Sequence, residues 1–124
     1  MATGLKLATL LDEKKIASRV KEMGQEITKI CAKEELVAIC VLKGSFIFYS
    51  DLVRNIDADL RSDFIGCSSY GDSSKSSGEV RLTLDLTHSI KGKNILLIED
   101  IIDTGLTMSF LKKTLSARDP KRIY

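Results

Sequence analysis

Between residues 12 and 31 the apolar positions Ile16, Val20, Met23, Ile27 and Ile30 step by three or four, the spacing that lines one face of an amphipathic helix. Asp12 or Thr9 is placed to cap it. The next run, Leu36 to Leu42 (LVAICVL), is apolar throughout and predicts a central parallel strand buried on both faces. Lys43 and Gly44 follow, then a second helix from about Ser45 to Arg54. Its apolar side comprises Ser45, Phe46, Phe48, Tyr49, Leu52 and Val53, and both phenylalanines are expected in the core. Leu60, Phe64 and Ile65 predict a strand over 59–67. From Ser68 to Gly78 the chain turns to Ser, Gly, Lys and Asp, too polar to pack and too long for a tight hairpin, so a mobile loop is expected. Val80, Leu82, Leu84 and Leu86 then alternate with polar residues, the period of a half-buried strand. After Gly92 a second unbroken aliphatic strand, Ile95 to Ile98, leads into a helix marked by Met108, Leu111 and Leu115. Asp119 and Pro120 end that helix, and Ile123 with Tyr124 open a further strand. Strand, loop and helix recur in that order, which predicts an α/β fold with a mostly parallel central sheet flanked by helices.

At 124 residues and 44% hydrophobic, the chain is expected to form one domain, 1–124, with a substantial core. Its 19 Lys and Arg nearly balance 17 Asp and Glu and are scattered, without the basic blocks expected of a nucleic-acid surface; no nucleic-acid partner is expected. No apolar run approaches the roughly 18 residues needed to span a bilayer, and no basic segment with an apolar signal core opens the chain. A cytoplasmic protein without a membrane partner is therefore the expectation. Cys31, Cys40 and Cys67 are odd in number and lack paired metal-ligand spacing, so they read as reduced core residues. His88 is the only histidine, which excludes a histidine-rich metal site; it falls in a predicted turn, as a solvated loop residue.

The run from Ile95 to Met108, ILLIEDIIDTGLTM, changes this picture. Glu99 and Asp100 stand directly at the carboxyl end of a buried strand, where ligands of open α/β sheets gather. Gly105 permits positive φ, so successive backbone amides can curl into a concave nest, and the helix start adds unpaired N–H donors and partial positive charge. Such a cup suits a phosphate, with Thr104 and Thr107 adding hydroxyl donors. The acidic pair offers oxygens to sugar hydroxyls or Mg²⁺. A sugar phosphate satisfies both halves.

This run resembles the phosphoribosyl pyrophosphate (PRPP) signature of type I phosphoribosyltransferases: aliphatic residues, two acids, two aliphatic residues, then Asp-Thr-Gly-x-Thr. Leu42, Lys43, Gly44 and Ser45 resemble the pyrophosphate loop of hypoxanthine and hypoxanthine-guanine phosphoribosyltransferases of the bacterial type, and Ser69 with Tyr70 resembles their mobile-loop dipeptide. The resemblance implies a Rossmann-like phosphoribosyltransferase core and Mg²⁺-dependent transfer of ribosyl phosphate from PRPP to N9 of a 6-oxopurine, releasing pyrophosphate. It implies that Glu99 and Asp100 bind the ribose hydroxyls directly or through Mg²⁺, and that Asp103 acts as base toward the purine. Thr104, Gly105, Leu106 and Thr107 would cradle the 5′-phosphate, with Ile101 and Ile102 in the same PRPP-binding run. Leu42, Lys43 and Gly44 would bind pyrophosphate, across a Leu42–Lys43 peptide that can be cis. Ser69 and Tyr70 would close over it during turnover, excluding water. A homo-oligomer, dimer or tetramer, is also implied.

Two other readings fit parts of the chain. Asp103-Thr104-Gly105 after two isoleucines is also the aspartic-protease triplet, which needs β-strands after it and leaves Glu99 and Asp100 without a role. A phosphoribosyltransferase fold that senses PRPP or nucleotides without catalysis would share the site but has no use for a leaving-group loop and a base. Because the chain stops as a strand opens, it reads as a fragment lacking C-terminal elements, including the lysine and aromatic that in the family hold the purine; turnover by these residues alone is not expected.

Overall fold

Eight elements follow one another: helix α1 (Glu13–Cys31), strand β1 (Leu36–Leu42), α2 (Phe46–Val53), β2 (Leu60–Tyr70), β3 (Glu79–Leu84), β4 (Asn94–Ile98), α3 (Leu106–Ser116) and β5 (Arg122–Ile123). The computed structural model describes residues 7–70, 79–102 and 104–124, and of Tyr70 only the backbone. Helix α1 starts where the sequence predicts, with Asp12 Oδ1 accepting from the Lys15 amide at 2.8 Å, and ends as Ala32 turns left-handed at φ 48°.

The five strands form one sheet in the order β3-β2-β1-β4-β5. β1 pairs in parallel with β2 and β4, and β4 with β5, while β3 runs antiparallel at the edge beside β2. The sheet is thus mostly parallel, as its unbroken apolar strands require. Along β1 the pleat divides one apolar run between two cores. Leu36, Ala38 and Cys40 join Leu96 and Ile98 of β4 beneath α1 and α2, with Val20, Tyr49 and Leu52. Val37, Ile39 and Val41 join Ile95, Ile65, Leu111 and Leu115 beneath α3. Each fully buried aliphatic side chain stabilises this arrangement by about 1.5–3 kcal/mol.

Three expectations change. Phe46 is 55% exposed rather than core, because α2 turns Tyr49 and Leu52 inward and leaves Phe46 at its outer start; Phe48 is partly buried as expected. Strand β2 continues to Tyr70 and places Ser69 and Tyr70 opposite Val80 and Glu79, so both belong to a strand end and not to the loop. Ladder hydrogen bonds extend a strand through polar residues that apolar spacing does not mark. The remainder of the expected mobile loop, 71–78, lies outside the described residues. Finally, Leu86 lies beyond the end of β3.

The functional ends of the sheet follow from strand order. From β1 the chain moves outward through β2 and β3, then returns to β4 on the other side of β1. The crevice above the carboxyl ends of β1 and β4 is therefore the switch point at which open α/β sheets bind ligands. No helix among the described residues is long and apolar enough to cross a membrane.

Candidate active site

Two loops meet at that crevice. The first, Leu42 to Ser45, leaves β1 with Leu42 half-buried and Lys43 and Gly44 exposed; the Leu42–Lys43 peptide is cis. Ser45 is fully buried as it starts α2, and its Oγ donates to the Val41 carbonyl at 2.6 Å, with the Ile98 carbonyl at 3.3 Å and Cys40 Sγ at 3.4 Å. The Phe46 amide donates to the Lys43 carbonyl at 3.2 Å, closing the turn.

The second loop leaves β4. Glu99 is half-buried, Asp100 exposed, and the pair is knit by short-range bonds: the Asp100 amide to Glu99 Oε1 at 2.9 Å, and the Ile101 amide to Asp100 Oδ1 at 2.8 Å. Burial pushes the Glu99 carboxyl up to about 7, and its hydrogen bond to Asp100 adds to the effect. That same bond from Glu99 holds Asp100 below the usual carboxylate range. One proton is thus kept on Glu99 and shared toward Asp100, as expected of adjacent carboxylates that cannot both ionise freely. Burial, with Glu99 nearby, also pushes the Cys40 and Cys67 thiols up, so neither is an activated nucleophile. All three cysteines are free thiols, Cys31 and Cys40 buried and Cys67 half-buried.

Ile101 and Ile102 are 74% and 65% exposed at the rim. Asp103 lies outside the described residues. Thr104 Oγ1 accepts from the Leu106 amide at 3.2 Å, and Gly105 takes φ 85° as the residue that starts α3. This left-handed turn is the one the sequence predicts, and Gly105 itself offers no side chain to cap the amides that open α3, of which Leu106 is held by Thr104. Leu106 is exposed and Thr107 half-buried at that end. Leu42, Lys43, Gly44, Glu99, Asp100, Thr104, Gly105 and Thr107 therefore gather around two adjacent loops, and Ser69 stands exposed near the end of β2. A helix immediately after Asp-Thr-Gly, where the protease fold requires strands, removes the protease alternative.

Two buried polar residues escape a reading of the sequence, one at the site and one at the opposite end of the sheet. Ser45 falls among the apolar side of α2; a hydroxyl placed just after an unbroken apolar strand is the signal of a buried bridging role. Asp63, a lone acid in β2, is buried and accepts the amides of Phe64 at 2.8 Å, Thr87 at 3.1 Å and His88 at 3.4 Å. It fixes the turn after β3. An acid between apolar residues in a strand signals such a satisfied anchor.

A magnesium ion fits the acidic pair in donor chemistry. Among the described residues no three His, Cys, Asp or Glu side chains converge into a cage. Two carboxylates at a strand end match an ion that takes one or two protein carboxylates and completes its shell with water and substrate oxygens.

The match to known proteins agrees with this geometry. The family model described as phosphoribosyl transferase domain matches residues 6–124. The hypoxanthine-guanine phosphoribosyltransferase of Bacillus subtilis is 46% identical over 114 residues, which cover 92% of this chain and 63% of that protein. A crystal structure of a hypoxanthine-guanine phosphoribosyltransferase from Bacillus anthracis, with HEPES in its active site, superposes with a TM-score of 0.88 at 44% identity, covering 94% of this chain and 69% of that one. A Trypanosoma cruzi hypoxanthine phosphoribosyl transferase, solved to define the role of its C-terminal region in oligomeric state and activity, gives a TM-score of 0.87 at 37% identity, covering 99% and 68%. The chain spans less than two thirds of the length of its Bacillus subtilis relative. With a family model that matches residues 6–124 and relatives at 37–46% identity, the chain belongs to the phosphoribosyl transferase domain family.

Proposed function

We propose that the protein salvages purines by transferring the 5-phosphoribosyl group of PRPP to hypoxanthine, guanine or both, giving IMP or GMP and pyrophosphate. The observation that carries this reading is the meeting of the Leu42–Ser45 loop and the Glu99–Asp100 pair at adjacent strand ends, with the Gly105-opened helix beside them. Relatives and structural neighbours that bear the hypoxanthine(-guanine) phosphoribosyltransferase name support it.

Glu99 and Asp100 hold the ribose hydroxyls and, through their oxygens, Mg²⁺. The ion, when bound, offsets the charge of the pyrophosphate. Thr104 to Thr107 bind the 5′-phosphate by amides and hydroxyls, which contribute hydrogen bonds without net charge. Lys43 and Gly44 face the leaving pyrophosphate, and Leu42 supplies the start of that loop. Asp103 accepts the purine proton. Ser69 and Tyr70 close over pyrophosphate during turnover and keep water from the oxocarbenium-like centre. Cytoplasmic residence and a dimeric or tetrameric state complete the proposal; the role of the C-terminal region in the oligomeric state of the Trypanosoma cruzi relative supports an oligomer.

The test is pyrophosphate release from PRPP by the full-length protein that carries this sequence, with hypoxanthine, guanine, xanthine and adenine in turn. Release with hypoxanthine or guanine, abolished by chelating Mg²⁺, is expected. PRPP binding without release in the presence of any purine would replace the enzyme by a sensor of the same fold.

A further inference from the structure

Gly44 and Asp100, far apart in the chain, touch across the crevice. A Cβ built on Gly44 would lie 2.5 Å from Asp100 Oδ2 and 3.2 Å from its Cγ, well inside ordinary contact at 3.4–4 Å. The backbone of Gly44 does not itself demand a glycine, since among the described glycines only Gly92 and Gly105 take positive φ. What a side chain at 44 would meet is the carboxylate resting there, which would have to move aside. The other oxygen of Asp100, Oδ1, accepts from the Ile101 amide at 2.8 Å, so the carboxylate bonds to its own loop on one side and rests on bare backbone on the other.

The residue beneath keeps the two loops in step. The parallel pairing of β1 with β4 runs to Cys40 opposite Ile98. Just past that pair, the buried Ser45 hydroxyl reaches Val41 O at 2.6 Å and Ile98 O at 3.3 Å, the carbonyls that immediately precede Leu42 and Glu99.

We propose that Gly44 is a positioning residue for Asp100: the missing side chain is the seat of the carboxylate, and Ser45 sets the spacing of the two strand ends that carry seat and carboxylate. This rests on the reading of Asp100 as a group that serves PRPP and Mg²⁺. A side chain at 44 displaces Asp100, and the loss falls on Mg²⁺-dependent PRPP binding rather than on the transfer step.

Two measurements on the full-length protein decide it. In a crystal structure of Gly44→Ala without ligand, the Asp100 carboxylate moves by about 1 Å or more to reach ordinary contact; a carboxylate that keeps its place overturns the proposal whatever the substrate. In kinetics at limiting Mg²⁺, Gly44→Ala raises KM for PRPP about tenfold, the scale of disturbing a residue that orients a metal ligand, with kcat changed less than about twofold. In an Asp100→Ala background, whose side chain ends short of the seat, the same change moves KM less than about twofold. A tenfold rise in both backgrounds overturns the proposal, because Gly44 then acts on ligand without Asp100. If Gly44→Ala does not fold, Gly44→Ala with Asp100→Ala folds, and failure of both overturns it. A wild-type protein that releases no pyrophosphate removes the enzymatic reading and leaves the crystallographic arm to decide the seat.

Discussion

The two loops of the crevice are built by different means. The loop after β1 takes its shape from the core: Ser45 is buried between two strand carbonyls, the Tyr49 amide donates to the Ser45 carbonyl at 2.7 Å, and the buried Tyr49 hydroxyl donates to Ala38 O at 3.0 Å. The loop after β4 takes its shape from its own neighbours, with Glu99, Asp100 and Thr104 each accepting a nearby amide while Ile101 and Ile102 stand in solvent. Local side-chain bonds of that kind exchange readily for others. One loop is therefore a fixed wall, and the other holds donors and acceptors that a polyanion can take over. Substitutions at the buried residues of the wall should register as lost stability, whereas substitutions at its exposed Lys43 and Gly44 and in the second loop should register as lost binding or chemistry.

The largest expected effect separates roles within the second loop. Asp103→Asn should lower kcat by about 10²- to 10⁴-fold, the range of general-base catalysis, with little change in PRPP affinity. Glu99→Ala should chiefly weaken PRPP binding. Steady-state kinetics with PRPP varied will show the contrast, and equal effects of both substitutions on both parameters would dissolve it.

Next comes the support beneath that loop. Leu111 is fully buried on α3, whose first turn carries the proposed phosphate cup, so Leu111→Ala should cost about 2–5 kcal/mol in urea unfolding. A cost below about 1 kcal/mol would mean that α3 is not anchored by this face.

A pair of hydroxyls tests the comparison directly. Ser45→Ala removes a buried donor and should cost about 1–3 kcal/mol of stability. Thr104→Ala removes an exposed acceptor of the Leu106 amide and should cost no more than about 1 kcal/mol, while weakening PRPP binding. The reverse order of costs would show that the first loop is not the more firmly built.

Much of this is legible in the chain because periodicity reports burial. Leu36 to Leu42 and Ile95 to Ile98 read as two-sided strands, and the structure buries both. Gly105 reads as a left-handed turn before a helix, and it is one. The failures share a cause, which is that the deciding partner is distant in sequence. Phe46 looks like core because its neighbours are apolar, but only the docking of α2 through Tyr49 and Leu52 determines which side faces in. Ser69 and Tyr70 look like loop because the sequence turns polar from Ser68 onward, whereas the β3 ladder holds their backbone. Ser45, Asp63 and the seat of Asp100 on Gly44 are contacts between elements, and local pattern is blind to them.

The smallest effect concerns the proton on Glu99. Its folded value of about 7 lies above the ordinary 4.5, so between these limits the folded protein holds a proton that the unfolded chain has released. Stability should fall as pH rises from about 4.5 to about 7, and the loss is complete above that window. In the proposed function Mg²⁺ would compete with the same proton, so Mg²⁺-dependent PRPP binding should strengthen by up to about tenfold from pH 6 to pH 7 and then level off. The two quantities thus move in opposite directions over one interval, a signature that general loosening of the fold cannot imitate. PRPP phosphates titrate near pH 6 as well, which makes Glu99→Gln the necessary reference: it retains the size of the side chain, removes the titration, and should flatten the protein's part of both profiles. If the wild type and Glu99→Gln show the same pH dependence of binding, the proton is not held on Glu99, and the second loop is less poised for a cation than its carboxylate pair suggests.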